Sequence, residues 1–251
     1  MTPRLDLGKV IAGAFLVPWW HRKAFACALA VPLVLIVGFC VLWYYVAVPY
    51  FPQYVLWTAW PLWGALFSLF AVICHRLVLL DAEAVAARWV PRWSWRETRF
   101  FLWMVTLWVV GLAAIWLFLL VVGNLWMRSV GDLPEWTDWI VSLAKLPCLY
   151  VFGRLCLLFP ATAVDRGASL RWSWHLTRGN GWRLMIIVGG LPFALSFLVD
   201  LLYRDGASTL EWLALNVVAV ALLAVEIAAV SLSYRELTRD DVVPLDGGAS
   251  S

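Results

Sequence analysis

The chain has 251 residues, of which 64% are hydrophobic and only 14% are charged, and its formal net charge at pH 7 is +3. Soluble domains carry about 25% charged residues, so this composition excludes an ordinary water-soluble protein. Basic residues are in small excess, but they form no recognition helix and no RNA-binding motif. We therefore expect no nucleic-acid partner.

Six apolar segments are long enough to cross a bilayer core of about 30 Å, which requires about 20 helical residues. Their apolar character is continuous rather than alternating, and this predicts helices rather than barrel strands. The predicted spans are Ala24–Val48, Tyr54–Leu80, Arg99–Val122, Thr137–Phe159, Arg183–Tyr203 and Leu210–Tyr234. We predict an all-α integral membrane protein with one six-helix domain over residues 1–239 and a disordered tail over residues 240–251.

Basic residues are concentrated on one side of the predicted bundle. Segments 1–23, 76–99, 154–183 and 235–239 contain 16 of the 19 Lys and Arg residues. The positive-inside rule places such segments in the cytoplasm. We therefore predict a multi-pass protein whose N- and C-termini are both cytoplasmic.

Tryptophan is unusually frequent, with 19 residues, and many lie near the ends of the predicted spans. Indole rings favour the headgroup level of a membrane, where the ring is buried and its N–H stays hydrated. The residues predicted at the cytoplasmic edge are Trp19, Trp20, Trp89, Trp93, Trp95, Trp172, Trp174 and Trp182. This pattern indicates an aromatic belt; a Trp-lined site for a sterol, quinone or sugar is the alternative.

One short sequence occurs twice. Arg92-Trp-Ser-Trp and Arg171-Trp-Ser-Trp lie 79 residues apart, and Thr-Arg follows each after two further residues. The match extends backwards to Arg76-Leu-Val-Leu-Leu and Arg154-Leu-Cys-Leu-Leu, and Pro18-Trp-Trp-His-Arg is a weaker third copy. Such periodicity is typical of duplicated architecture. It predicts three units, at about residues 1–80, 81–160 and 161–239, each with an interfacial segment followed by a transmembrane hairpin.

The segments before the hairpins have the pattern of interfacial helices. We expect amphipathic helices at Leu5–Leu16, Asp81–Arg88 and Asp165–Arg178. In this interpretation each Arg-Trp-Ser-Trp sequence is an anchor: tryptophan docks at the interface, arginine meets phosphate and serine permits close packing.

The longest motif also carries a family resemblance. Arg154-Leu-x-Leu-Leu-Phe-Pro-Ala, followed by Ser169-Leu and Leu176-Thr-Arg-Gly-Asn-x-Trp-Arg, resembles a pattern in uncharacterised bacterial polytopic membrane proteins. These include the membrane domain fused to some glycerophosphodiester phosphodiesterases and related stand-alone envelope proteins. The resemblance implies a six-helix domain of the inner (cytoplasmic) membrane. It does not imply phosphodiesterase activity, because the catalytic domain is not present in this sequence.

Arg76, Arg154 and Glu226 are among the charged residues inside predicted spans, where a charged group is costly and usually has a partner. We expect Glu226 to pair with Arg154, or alternatively with Arg76. Such a pair has two interpretations, either a bridge that stabilises the bundle or part of a polar pathway or anionic-headgroup site.

The sequence contains no recognisable catalytic motif, no metal-ligand spacing and no cofactor motif, so we predict no catalytic residues, metal or cofactor. The favoured function is non-catalytic binding or handling of an anionic lipid or other amphiphile in envelope maintenance. The predicted headgroup contacts are Arg154, Arg171, Arg178, Arg92 and Arg99. The alternatives are an accessory or assembly subunit of a larger membrane complex, which would contact other membrane proteins or itself, and a small transporter with an intramembrane Glu/Arg site.

Overall fold

The structure is a computed structural model that describes residues 4–43, 45, 52–88, 92–129, 137–202 and 208–239. Regular structure in these ranges is helical throughout. The helices are α1 (Leu7–Trp20), α2 (Arg22–Leu42), α3 (Pro52–Leu79), α4 (Ala82–Arg88), α5 (Trp95–Ser129), α6 (Thr137–Leu155), α7 (Leu158–Ala163), α8 (Leu170–Leu176), α9 (Gly181–Met185), α10 (Leu191–Leu202) and α11 (Thr209–Leu237). A π-helical turn, Ile186–Gly190, joins α9 to α10. The predicted tail, residues 240–251, lies outside the described residues.

Six helical segments are long and apolar enough to cross a membrane, which confirms the predicted number. They are Arg22–Leu42, Ala59–Leu79, Trp95–Val121, Lys145–Ala163, Gly181–Leu202 and Leu210–Leu237. The fourth combines α6 and α7, which are separated by a break at Cys156 and Leu157. Pro160 explains the break, because its ring excludes a hydrogen bond to the carbonyl of residue 156, four positions earlier.

The third span begins four residues before its predicted start, at Trp95 rather than Arg99. Ser94 and Glu97 account for this boundary. The Glu97 carboxylate accepts a hydrogen bond from the Ser94 backbone N–H at 2.8 Å and another from the Ser94 hydroxyl, while the Ser94 hydroxyl accepts from the Arg96 N–H at 3.3 Å. This reciprocal arrangement resembles a capping box and satisfies N–H groups that a helix start leaves free.

The interfacial helices differ in length from the prediction. α1 runs from Leu7 to Trp20 and is capped by Asp6, whose carboxylate accepts the N–H of Lys9 at 3.2 Å. The helix predicted over Asp165–Arg178 is restricted to α8, because the backbone of Asp165 is left-handed (φ 60°) and Ser169 caps the helix through the N–H of Trp172. At the other end Gly179 is also left-handed (φ 82°), which glycine tolerates without a Cβ clash.

Three helices form the centre of the bundle, since α3, α7 and α11 all contact one another. The other spans surround them: α2 packs against α3 and α11, α5 packs against α3, α6 and α7, and the α9–α10 segment packs against α6 and α11. Burial follows this arrangement. In the most apolar 18-residue stretch of each span, 56% is buried in Ala59–Leu79 but only 6% in Trp95–Val121. The fifth span is the α9–α10 segment, and its contacts place it between α6 and α11.

Contacts at the centre join distant parts of the chain. His75 on α3 and Ser231 on α11 are both buried and share a hydrogen bond of 2.7 Å between Nδ1 and Oγ. The rings of Phe100 on α5 and Phe159 on α7 lie 4.9 Å apart between centroids. Polar and aromatic contacts thus fix the inner helices to one another and to α5.

Candidate functional site

Arg154 lies at the end of α6 and is almost completely enclosed, with 7% of its surface exposed. Its Nε donates to the Thr177 hydroxyl at 2.7 Å, and its Nη1 donates to the Tyr150 hydroxyl at 3.3 Å. Its Nη2 donates to the backbone carbonyl of Trp174. All three guanidinium nitrogens are therefore directed to protein acceptors, as expected for a buried charge.

The same arginine holds α8 in place. The hydroxyl of Ser173 donates to the Arg154 carbonyl at 2.9 Å, and the Trp174 ring stacks over the guanidinium, with 4.1 Å between Cζ and the ring centroid. A cation over an indole face is attracted by the ring quadrupole. Ser173, Trp174 and Thr177 thus attach one face of α8 to α6, and we call these three residues with Arg154 and Tyr150 the Arg154 clamp.

Arg76 and Arg96 converge on one carboxylate. The Asp165 side chain lies 3.1 Å from the Nε of Arg96 and 3.7 Å from the Nη1 of Arg76. Arg76 also donates to the Ala163 carbonyl at 3.1 Å. Asp165 therefore connects the end of α3, the start of α5 and the segment after α7.

The expected pair between Glu226 and Arg154 or Arg76 is not formed, and this prediction needs correction. Within the described ranges, Glu226 has neither an ion pair nor a side-chain hydrogen bond, and both arginines have the other partners given above. The packing supplies the reason: the α9–α10 segment separates α6 from α11, and Arg76 is directed toward α7. Similar depth in the bilayer does not make two residues neighbours around the bundle.

Glu226 instead lines a cleft of about 150 Å³ between α10 and α11. Ser196 and Asp200 from α10 line the same cleft, together with Ala219 and Leu222 from α11. Glu226 is partly buried, whereas Ser196 and Asp200 are exposed. Polar side chains therefore line a cleft between two helices that are otherwise apolar.

Exposed tryptophans lie where the first, third and fifth spans begin. Trp20 is 66% exposed just before α2, Trp95 is 70% exposed at the start of α5, and Trp182 is 69% exposed in α9. We define the tryptophan–arginine rim as Trp19, Trp20, Trp93, Trp95, Trp174 and Trp182 with Arg22, Arg92 and Arg171. Arg22 lies 5.6 Å from the centroid of the Trp19 ring. Indole and guanidinium groups thus stand side by side on an exposed surface.

The predicted headgroup contacts fall into two groups. Arg92 and Arg171 are exposed, Arg178 is exposed but also interacts with other protein groups, and Arg99 is half-buried. Arg154 is not accessible to a lipid headgroup, because its guanidinium is buried and hydrogen-bonded to protein acceptors. Two tryptophans predicted at the cytoplasmic edge are not part of the tryptophan–arginine rim. Trp89 lies outside the described residues, and the partly buried Trp172 packs against Tyr234 with ring centroids 6.3 Å apart.

Sequence reasoning missed Asp165, Tyr150 and Thr177 as partners of the arginines. The Thr that follows each Arg-Trp-Ser-Trp sequence was a visible signal, and in the second copy it contacts Arg154. Asp165 gave no local signal, since its partners are Arg96 and Arg76, 69 and 89 positions earlier.

Comparison with known proteins gives no further assignment: no family model matches the chain, and no curated protein or solved structure is significantly similar to it.

Proposed function

We propose that this chain is a multi-pass inner-membrane protein that binds anionic phospholipids without catalysis, as part of envelope maintenance. The observation that supports it is the tryptophan–arginine rim, in which strongly exposed indoles at the starts of the first, third and fifth spans accompany the exposed Arg92 and Arg171. Each Lys or Arg near an anionic membrane surface contributes about 1 kcal/mol of attraction. Exposed indoles favour the same headgroup layer.

The proposed orientation places the rim and both termini in the cytoplasm, following the distribution of Lys and Arg. In this proposal three units surround a pseudo-threefold axis. The contacts agree with such an axis: each unit's first helix packs against its own second helix and that of the preceding unit, as α2 does with α3 and α11, and α5 with α7 and α3. The α9–α10 segment likewise packs against α11 and α6. The rim would then consist of three similar docking surfaces.

The lipid proposal is tested by native mass spectrometry of the protein extracted gently from its own membrane. Wild type should retain a defined anionic phospholipid, and the Arg92→Ala, Arg171→Ala double variant should lose most of it. The matching double lysine variant keeps both charges and should retain the lipid, because the attraction to the surface depends on charge. Equal lipid retention in the alanine variant and in wild type would remove the rim from the proposal.

An accessory-subunit function is the second candidate, and the exposure of α5 favours it. Only 6% of its most apolar 18-residue stretch is buried, the lowest share among the six candidate spans. Trp116 and Leu117 are exposed there, while Trp108 reaches Trp60 on α3 with 5.4 Å between ring centroids. If this face docks a partner, one defined protein should co-purify with the chain and be lost in a Trp116→Ala variant.

The Glu226 cleft favours the third candidate, a small transporter. The Glu226 carboxylate, which has no partner among the described residues, lies beside Ser196 and Asp200 and could accept a transported cation or proton. A cysteine at position 196 should then react with a water-soluble thiol reagent on intact membranes. Absence of labelling would show that water does not reach the cleft.

A further inference from the structure

We propose that a depression between the start of α1 and α9, lined by Arg4 and Arg183, is a binding site for a phosphate monoester, supplied by a lipid such as phosphatidic acid. This inference rests on the proposed lipid-binding function and gives it a particular site and headgroup class. The depression has a volume of about 420 Å³ and is lined by Arg4, Leu5, Asp6, Leu7, Gly8 and Arg183.

A single buried amide positions both walls of the depression. The side-chain oxygen of Asn180 accepts the backbone N–H of Leu5 at 2.9 Å and lies 3.4 Å from Nη1 of Arg183. Leu5 and Asn180 are each 2% exposed, so this contact lies within the packed part of the fold. Two guanidinium groups from positions 179 residues apart in the chain are thereby brought to one cavity.

The two arginines differ in how strongly the protein uses them. Among the described residues, Arg183 has only the long contact with Asn180, and the Arg4 side chain has neither an ion pair nor a hydrogen bond. Arg154, in contrast, has a protein acceptor for each guanidinium nitrogen. Donors in this depression therefore remain for a ligand, whereas those of the Arg154 clamp do not.

The carboxylates nearby are already engaged. Asp6 caps α1 through the N–H of Lys9 and lies 3.5 Å from the Lys9 ammonium, and the hydrogen bond from that N–H lowers the pKa of Asp6 below its usual value. The Asp6 N–H donates to Glu236 at 3.4 Å. The lining of the depression thus contains two arginines, Arg4 and Arg183, and one carboxylate, Asp6, which leaves it net positive. Because Asp6 satisfies the helix start, the two arginines are the groups that select the ligand.

A phosphate monoester suits these donors. Its terminal oxygens carry more charge than those of a diester, and guanidinium groups bind such oxygens in a planar, two-pronged geometry. Trp182 is adjacent to Arg183 in the chain and is 69% exposed, which fits a site at the headgroup level. The glycerol and acyl chains of a lipid could then leave the depression along the exposed side chains of Ile186 and Phe193.

The test is a titration of the full-length protein in mild detergent, followed by native mass spectrometry. The probes are dioctanoyl phosphatidic acid, dioctanoyl phosphatidylcholine and inorganic phosphate. Wild type should bind phosphatidic acid selectively, and Arg4→Ala with Arg183→Ala should weaken that binding at least about tenfold, the factor that corresponds to one lost interaction of ordinary strength. The Lys23→Ala, Arg166→Ala variant removes two exposed charges outside both the depression and the rim and should weaken that binding less than about threefold.

Further results separate the possible explanations. An Arg4→Lys, Arg183→Lys variant keeps the charges and controls for folding. We expect intermediate affinity, because lysine lacks the planar fork. Inorganic phosphate that competes fully at equal concentration would assign the site to free phosphate instead of a lipid. Selective binding that survives in the Arg4→Ala, Arg183→Ala variant but is lost in the Arg92→Ala, Arg171→Ala variant would overturn this site and leave the proposed function intact. Lack of selective binding in wild type would overturn this site, whereas the proposed function would fail only if wild type also retained no anionic phospholipid from its own membrane.

Discussion

Arg92–Arg99 and Arg171–Arg178 begin with the same four residues but have different structural roles. In the first copy, Ser94 pairs with Glu97 and starts the long helix α5. In the second copy, the equivalent Ser173 is buried inside the short helix α8 and donates to the Arg154 carbonyl. The threonines also differ: Thr98 accepts the indole N–H of Trp93, whereas Thr177 accepts Nε of Arg154.

Residues outside the shared motif explain the difference. Glu97 supplies the carboxylate that a capping box requires, and the equivalent position in the second copy is Leu176, which is buried. The second copy is capped earlier, at Ser169, and is stopped by Gly179. The two copies therefore share an exposed first arginine, Arg92 or Arg171, while their serines and threonines have different partners.

The largest expected effect comes from removing the centre of the Arg154 clamp. Arg154→Ala should lower the free energy of unfolding by about 3 kcal/mol or more, because hydrogen bonds to a charged group contribute about 1.5–3 kcal/mol each. Arg171→Ala, on the exposed side of α8, should change it by less than about 0.5 kcal/mol. Unfolding in mixed detergent micelles measures both. Equal effects would mean that the Arg154 clamp contributes no more to stability than an exposed arginine does.

Close packing beneath the second copy is tested by Gly153→Ala on α6. A Cβ there would lie 2.9 Å from the backbone nitrogen of Met185, so the backbones of α6 and α9 must separate. We expect a loss of about 1–3 kcal/mol in the free energy of unfolding, as for other overpacked sites. Gly111→Ala on α5 is the matched control, since a Cβ there meets nothing within 4 Å. A neutral Gly153→Ala would contradict the close approach of these helices.

The two serines allow a direct comparison of the copies. Ser94→Ala and Ser173→Ala should each cost about 1 kcal/mol, the first through a lost helix cap and the second through a lost buried hydrogen bond. Their partners should differ in double-mutant cycles. Ser94 should couple to Glu97 by about 0.5 kcal/mol or more. Ser173 should show almost no coupling to the Arg154 side chain, because its acceptor is the backbone carbonyl that Arg154→Ala retains. Coupling of Ser94 to Arg154 would show that the first copy also belongs to the clamp.

The smallest effect is expected at Glu226. Glu226→Gln removes a charge that has no partner among the described residues, so the free energy of unfolding should fall by less than about 0.5 kcal/mol or should rise. The same unfolding measurement, beside Arg154→Ala, checks this contrast. A loss as large as that of Arg154→Ala would restore Glu226 to a structural ion pair.

The sequence was sufficient to predict the six helices, because only long apolar helices satisfy both the composition and the bilayer thickness. The start of α5 was predicted four residues too late, at Arg99, although Ser94 and Glu97 have the spacing of a capping box. Partners across the bundle were not readable. Arg154 meets Thr177 and Tyr150, and Glu226 lies beyond the α9–α10 segment, because neighbours around a bundle depend on helix order and rotation, not on depth.

Positions at helix ends were easier to predict than contacts. An exposed Trp20, Trp95 or Trp182 follows from its place beside an apolar span, whereas Trp172 turns inward to meet Tyr234. The direction of one side chain on a short helix depends on which face docks. In α8 that face is set by Ser173 and Thr177, whose acceptor lies on α6.

The most direct test of the tryptophan–arginine rim is the shift in melting temperature that anionic lipid produces. The protein in mild detergent is titrated with phosphatidylglycerol or phosphatidylcholine, because a ligand that binds only the folded state raises the melting temperature. Wild type should be stabilised by phosphatidylglycerol alone, and the Arg92→Ala, Arg171→Ala variant should lose most of that shift while melting normally without lipid. An unchanged shift in the variant, or equal shifts with both lipids in wild type, would contradict headgroup binding by the rim.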